Sequence, residues 1–187
     1  MLTSENLTEE ATALLRRLLE ALIDHPRDLV VEPREHRGMV QWLVVANIND
    51  LGIVIGKRGA HAKAIQHLMR EIGARHGCHM TVRIEADGPG ERQPEAVRRP
   101  ASPTYSVTPH LTLLRDLLGA LCDEPPVVTV EHRFDFIIRP LVIQDFDRLQ
   151  PPLAGDENAE SIITSLATLF NAAGKRDGVV FRLEVRA

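Results

Sequence analysis

A segment of this chain occurs twice, and that internal repeat constrains the possible folds more than any other feature of the sequence. Residues 14–32 and 113–131 align at an offset of 99, with eleven of nineteen positions identical. The identical positions include an Asp-x-Pro stop, and a Val-rich stretch follows that stop in both copies. Residues 81–85 and 180–184 resemble each other at the same offset. The shared order of features indicates duplication of one small domain.

The stretch between the two copies differs from both in composition. Residues 87–110 are dense in Pro, Gly, Ser and charge and have no sustained apolar period, which predicts a linker. A chain of 187 residues has room for two small domains. We therefore expect a first domain at residues 1–86, the linker at 87–110 and a second domain at 111–187.

Each copy carries the same succession of periodic patterns. Apolar residues at helical spacing between Leu14 and Ile23 predict a helix that ends before Pro26. The later segments of the first copy alternate between β-like and helical patterns, and Gly77 is a plausible C-cap. We expect strands at 28–32 and 39–47 with a turn at 34–38, a short helix near 50–55, a helix at about 60–75, and a strand at 79–86. The predicted fold is α+β, with the order α-β-β-α-α-β in each copy.

Composition limits the classes of function. Aromatic residues make up 4% of the chain, which counts against the multi-ring stacking surfaces of RRM or OB domains. The N-terminus lacks the basic region of a signal peptide, and no apolar run is long enough to span a membrane. Cys78 and Cys122 lie in different halves without a CxxC pattern, so we expect reduced thiols in a cytoplasmic protein.

The net charge of −4 is unevenly distributed along the chain. Residues 1–86 hold 11 basic and 11 acidic side chains, whereas residues 111–187 hold 8 and 12. Within residues 50–79 there are five Lys or Arg, two acids and four histidines. Because screening limits electrostatic attraction to about 10 Å, local charge decides whether phosphate is attracted. The first copy therefore has a basic patch, on which we place the histidines, and the second has none.

The segment Gly56-Lys57-Arg58-Gly59 lies within this patch, between two predicted helices. The glycines permit backbone conformations closed to other residues and let a ligand approach the main chain. The second helix begins at once, so its free N–H groups and positive dipole end face the loop. With two cations at the tip, the loop suits a sugar-phosphate backbone, which it would hold without reading sequence. Bases would meet an apolar groove beside the loop, for which Ile53, Val54 and Ile55 are candidates.

The stretch INDLGIVIGKRGAHAKAIQHLMREIGARHG resembles the type II, prokaryotic KH domain, in particular the small bacterial KH RNA-binding proteins of the KhpA type. The resemblance extends over residues 14–86. It implies binding of single-stranded RNA, with about four nucleotides clamped at the loop. The candidate RNA-binding residues are Gly56, Lys57, Arg58, Gly59, Ile53, Val54, Ile55, His61 and Lys63.

The second copy departs from the pattern at the loop. It has no GxxG, and aligning Ile65 with Ile163 places Ala154-Gly155-Asp156-Glu157 there. Carboxylates at this place would repel phosphate. We therefore predict a degenerate KH-like second domain and assign it no RNA-binding residues.

Other motifs do not support further chemistry. His76-Gly77-Cys78-His79 lacks a second pair of zinc ligands at a typical spacing, so we expect no metal site. Asp145 and Asp147 have no partner base or nucleophile, and we expect solvated acids there. Trp42 lies on a predicted strand and is expected in the core. We expect no catalytic residues, no cofactor, no small-molecule substrate and no membrane association.

Three hypotheses remain open from the sequence. The leading one is a single-stranded RNA-binding protein acting as an RNA chaperone or post-transcriptional regulator. The alternative is a protein-interaction adaptor, in which the degenerate copy docks another KH protein or replaces self-association with an internal pseudo-dimer. Single-stranded DNA as the ligand is the third.

Overall fold

The computed structural model describes residues 4–36, 38–86, 108–122, 127–130, 138–144, 156–177 and 180–186. The chain divides into two compact units, Met1–Val97 and Arg98–Ala187. None of the helices in these ranges combines the length and the hydropathy that crossing a membrane requires. Most of the predicted linker, residues 87–107, lies outside the described ranges.

The first unit is an α+β domain with the predicted order α-β-β-α-α-β. Short 3₁₀ turns at Pro26–Asp28 and Lys57–Gly59 supplement its helices and strands. The elements are α1 (Ser4–Glu20), β1 (Val30–His36), β2 (Met39–Ala46), α2 (Ile48–Ile55), α3 (Ala60–Arg75) and β3 (His79–Ala86). Strand β1 continues four residues beyond its predicted end, through Pro33. Proline is compatible with an edge strand, because one side of that strand has no neighbour to which an N–H would have to donate.

The three strands form one mixed sheet in the order β1-β2-β3. Strand β2 pairs antiparallel with β1 and parallel with β3, the latter from Met39–His79 to Ala46–Ala86. Alternate residues of β2 are buried, as the period of two requires. Trp42 is among them at 0% exposure, and its Nε1–H donates to Thr12 Oγ1 at 2.8 Å. The prediction that Trp42 belongs to the core is confirmed.

Helix α3 packs closely against β3. A Cβ atom at Gly73 would lie 2.5 Å from the carbonyl oxygen of Cys78, so the absence of a side chain permits the approach. Beyond the end of the helix Gly77 has φ 67°, and the Cys78 N–H returns to the Gly73 carbonyl at 2.8 Å. This geometry turns the chain from α3 into β3. The C-cap is His76, and Gly77, which the sequence suggested as the cap, is the positive-φ residue that follows it.

The second unit has a sheet with the same strand order and senses as the first. Its described elements are α4 (Thr108–Leu121), β4 (Val127–Val130), β5 (Ile138–Gln144), α5 (Asp156–Arg176) and β6 (Val180–Arg186). Strand β5 pairs antiparallel with β4 and parallel with β6. The short helix predicted between β5 and α5 falls on residues outside the described ranges.

Buried helix positions also recur between the units. Six buried residues from Leu14 to Ile23, in α1 and the turn that follows it, correspond at offset 99 to buried residues from Leu113 to Cys122. The six buried positions of α3 correspond to buried positions of α5 at offset 101. This corrects the sequence alignment of Ile65 with Ile163, which used an offset of 98. At offset 101, residues 157–160 align with the Gly-Lys-Arg-Gly segment, and they lie inside α5.

Candidate nucleic-acid interface

Helix α2 leads directly into the candidate loop. A side-chain cap defines its start, and a glycine defines its end. Asn47 caps its start, with Oδ1 accepting the N–H of Asn49 at 2.9 Å. Its last turn closes with the Gly56 N–H donating to the Gly52 carbonyl at 2.9 Å. Gly56 then takes φ 72° and ψ 171°, a region that only glycine occupies readily. The helix therefore stops at Gly56 and the chain changes direction.

The loop itself is a tight turn with left-handed backbone. Arg58 has φ 56° and ψ 26°, and Gly59 follows with φ 77° and ψ 17° as the N-cap of α3. The Gly59 N–H donates to the Gly56 carbonyl at 3.1 Å and closes the turn. Lys57 is helical and Arg58 left-handed, an alternation that can direct successive N–H groups toward an anion. The side chains of Lys57 and Arg58 are exposed.

His61 joins the two helices on either side of the loop. Its Nδ1 lies 2.5 Å from the carbonyl oxygen of Ile53, so the ring donates Nδ1–H and serves as a cap for the last turn of α2. The same ring lies against Gly56, where a Cβ atom would be 2.5 Å from His61 Cγ. His61 was predicted as an RNA contact on the basic face. The structure places it half-buried, with one ring nitrogen engaged in holding the loop.

The three apolar candidates of α2 are not equivalent. Ile55 is 38% exposed, Ile53 is half-buried, and Val54 is 0% exposed. Val54 therefore packs in the core, and the prediction that it lines an RNA-binding groove is wrong for its side chain. The cause is helical periodicity, which turns Asp50 and Val54 to the same buried face and leaves Ile55 outside.

The exposed charged side chains at the loop are cationic. Lys57, Arg58 and Lys63 are exposed, and within the described ranges no carboxylate forms an ion pair with them. Further along α3, Arg70 lies 3.5 Å from Glu71, which also approaches His67 at 3.5 Å. The acid of this helix is therefore engaged away from the loop, and the cations at the loop are available to an anionic ligand.

Asp50 is a residue whose role the sequence analysis missed. It is 1% exposed, and its carboxylate accepts the N–H groups of Asp24 and His25. The available signal was its position three residues after the Asn47 cap, where an acidic residue commonly completes a helix start. That signal does not reveal the actual partners, which lie about 25 residues earlier in the chain.

These observations define a class of protein. A mixed three-stranded sheet is combined with three helices, and a Gly-Lys-Arg-Gly turn joins the second and third of them. This is the arrangement of a KH-type domain.

The KH domain of the KhpA/KhpB family matches residues 12–84. The RNA-binding protein KhpA of Listeria monocytogenes serovar 1/2a is 35% identical over 71 residues, which are 38% of this chain and 93% of that protein. KhpA of Thermotoga maritima is 34% identical over 56 residues, covering 30% of this chain and 75% of the relative. This chain belongs to the KhpA family of KH-domain RNA-binding proteins. The resemblance inferred from the sequence is thereby confirmed for the first unit, and residues 85–187 lie outside the matched range.

Proposed function

We propose that the first unit binds single-stranded RNA by clamping the sugar-phosphate backbone at Gly56-Lys57-Arg58-Gly59. The observation that carries the proposal is the turn itself. Three of its four residues have positive φ, its two cations are exposed, and it ends at the start of a 16-residue helix. Main-chain N–H groups, the helix dipole and two charged side chains together favour phosphate. The similarity to proteins named as RNA-binding supports RNA as the class of ligand.

The neighbouring side chains suggest how the strand continues beyond the clamp. Ile55 offers an exposed apolar contact for a base or ribose, with the half-buried Ile53 beside it. Lys63 is exposed in the first turn of α3 and adds a third cation. Such a surface holds a strand with few base-specific hydrogen bonds. We therefore expect modest affinity and loose sequence preference.

Binding of this kind fits an RNA chaperone or post-transcriptional regulator without catalytic activity of its own. A clamp that holds about four nucleotides can retain an unpaired segment without requiring a defined site. That property suits a protein that acts on many transcripts.

The proposal is tested by reversing the charge of the loop. We expect Lys57→Asp/Arg58→Asp to abolish binding to a single-stranded RNA oligomer, because two attractive charges become repulsive. For the wild type, log K should fall with log salt at a slope of about −0.7 for each phosphate contacted. Fluorescence anisotropy at several salt concentrations measures both quantities, and far-UV circular dichroism checks the fold.

The matched control is Arg34→Asp/Arg83→Asp, which makes the same change of charge on the exposed sheet face. This variant should retain most of the affinity. Equal losses in the two double variants would show nonspecific attraction instead of a site, and wild-type affinity in the loop variant would refute the assignment. Competition between RNA and DNA oligomers of identical sequence decides which nucleic acid is preferred.

We propose as a second role that residues 111–187 form a KH-like domain that makes protein contacts. Its sheet repeats the strand order and senses of the first unit. However, α5 is helical through residues 157–160, which align with the loop of the first unit at offset 101. A KH-like scaffold without the loop suits an adaptor that docks a partner or completes an internal pseudo-dimer. The assembly state of residues 1–97 alone tests this role.

A further inference from the structure

The first unit contains a buried carboxylate that the proposed RNA contacts do not use. Asp50 is 1% exposed and is the one charged side chain buried in the described part of this unit. Burial of an ion is strongly unfavourable unless its hydrogen-bonding capacity is satisfied. A buried apolar residue at this place would serve packing more simply, so the carboxylate requires a specific explanation.

Three donors converge on this carboxylate. Oδ1 accepts the main-chain N–H of Asp24 at 3.1 Å, and Oδ2 accepts the main-chain N–H of His25 at 2.9 Å. The His25 ring contributes Nδ1, 3.1 Å from Oδ2. All three belong to the corner between α1 and Pro26. Asp50 therefore fastens this corner to the first turn of α2.

Helix α2 connects that corner to the RNA-binding loop. It has eight residues, so it is about 12 Å long, and a rotation of about 10° at one end would move the other by about 2 Å. At its far end the Ile53 carbonyl and Gly56 contact His61. Asp50 is also in the first turn, where a negative charge interacts favourably with the helix dipole. The contacts of Asp50 are thus one constraint on the direction of this short helix, beside the buried Val54 and the His61 contact.

We propose that Asp50 is a positioning residue for the Gly-Lys-Arg-Gly loop. By holding the start of α2 against residues 24–25, it sets where Gly56 and Lys57 stand relative to α3. The inference rests on the proposed RNA-binding function of the loop. It adds the contacts of Asp50 as a requirement for RNA binding, and the loop sequence alone does not reveal this requirement.

The conservative substitution Asp50→Asn tests the proposal in the full-length chain. It preserves side-chain shape but replaces one accepting oxygen with an NH₂ group that faces the converging donors. We expect affinity for a single-stranded RNA oligomer to fall about fivefold, equivalent to one ordinary hydrogen bond. The affinity should be measured at a temperature where circular dichroism shows the variant fully folded. The amide resonances of Gly56 and Gly59 should shift in the free protein.

Val31→Ala is the matched control, because it removes buried volume from β1 and none of the hydrogen bonds to the Asp50 carboxylate described above involves Val31. It should lower the unfolding temperature while the affinity and the two glycine resonances stay unchanged. Unchanged affinity in folded Asp50→Asn would overturn the proposal and leave Asp50 a purely structural group.

A second variant covers the case in which Asp50→Asn does not fold. His25→Ala removes one donor and leaves the carboxylate with both main-chain hydrogen bonds. A loss of affinity smaller than the fivefold expected for Asp50→Asn, together with a shift of the Gly56 and Gly59 resonances, would support the proposal. If the affinity and the resonances both stay unchanged, the proposal is refuted. If the wild type binds no RNA, the proposed function fails. The glycine resonances of Asp50→Asn then decide the positioning role on their own, supporting it if they shift and refuting it if they do not.

Discussion

Gly56 combines two requirements at a single residue. Its backbone lies at φ 72° and ψ 171°, and the ring of His61 occupies the space that a side chain would need. The first requirement is local, because only glycine takes this conformation without strain. The second is tertiary, since His61 belongs to the following helix. The sequence motif indicates the first requirement and is silent about the second.

We expect Gly56→Ala to lower the free energy of unfolding of the first unit by about 1–3 kcal/mol and to weaken RNA binding. The added methyl must displace the His61 ring while the backbone remains in an unfavourable region. Urea unfolding followed by the fluorescence of Trp42, the single tryptophan of the chain, reports on this unit.

Gly52→Ala provides the control in the same helix. A Cβ atom at Gly52 would meet no other atom within 4 Å, and the residue has no positive φ. Alanine should therefore stabilise α2 by up to about 1 kcal/mol. Equal stability of the two alanine variants would show that neither the conformation nor the His61 contact constrains Gly56.

At the scale of elements, sequence patterns located most of the first unit. Strand β2, helix α3 and strand β3 lie where hydrophobic periodicity and glycine signals predicted them, because these signals are local. The end of β1 was missed because residues 34–38 were predicted as a turn, whereas the strand continues through Pro33 to His36. The buried face of α2 was also missed. The apolar run Ile53-Val54-Ile55 gives no indication of which side faces the core.

His110 connects elements of the second unit. It lies in the first turn of α4, and its Nε2 is 3.4 Å from Asp177 Oδ2 beyond the end of α5. The ring packs against Phe181 of β6, with centroids 4.8 Å apart. Burial lowers the pKa of His110 below its usual value of 6.5, Arg176 lowers it further, and Asp177 opposes the shift. The imidazole is therefore neutral at pH 7.

We expect the second unit to lose stability as the pH falls below about 6.5. The unfolded chain binds a proton near that pH, whereas the folded unit binds it only at lower pH, so the free energy of unfolding decreases on acidification. Hydrogen exchange of α4 and α5 amides, corrected for intrinsic rates, measures this change between about pH 7.5 and 5.5.

His110→Leu removes the titrating group from the same buried position and should flatten this part of the pH dependence. An identical pH dependence in His110→Leu and the wild type would assign the effect to other groups.

At the scale of the whole molecule, the chain consists of two units of which one matches the KhpA family. The other shares the strand order, the strand senses and the pattern of buried helix positions. What distinguishes it is α5, which is 21 residues long against 16 in α3. The additional helical residues stand where the first unit has its loop, so the two units differ at the part of the fold proposed to bind RNA.

If the second unit supplies an internal protein contact, residues 1–97 alone should dimerise while the full chain remains a monomer. The fragment should still bind RNA, because the proposed site lies wholly within the matched range. Light scattering at several protein concentrations measures the assembly state. The same assembly state for both proteins would remove the pseudo-dimer from consideration.

The sequence by itself determined the repeat, the helical and strand periods and the Gly-Lys-Arg-Gly turn. These depend on neighbouring residues: glycine permits positive φ, proline interrupts hydrogen bonding, and apolar spacing selects helix or strand. The tertiary structure alone decided that Asp50 and Val54 face inward, that His61 supports the loop and that α5 aligns at offset 101. Each depends on contacts between segments that only packing brings together, such as residues 25 and 50, and no local pattern encodes them.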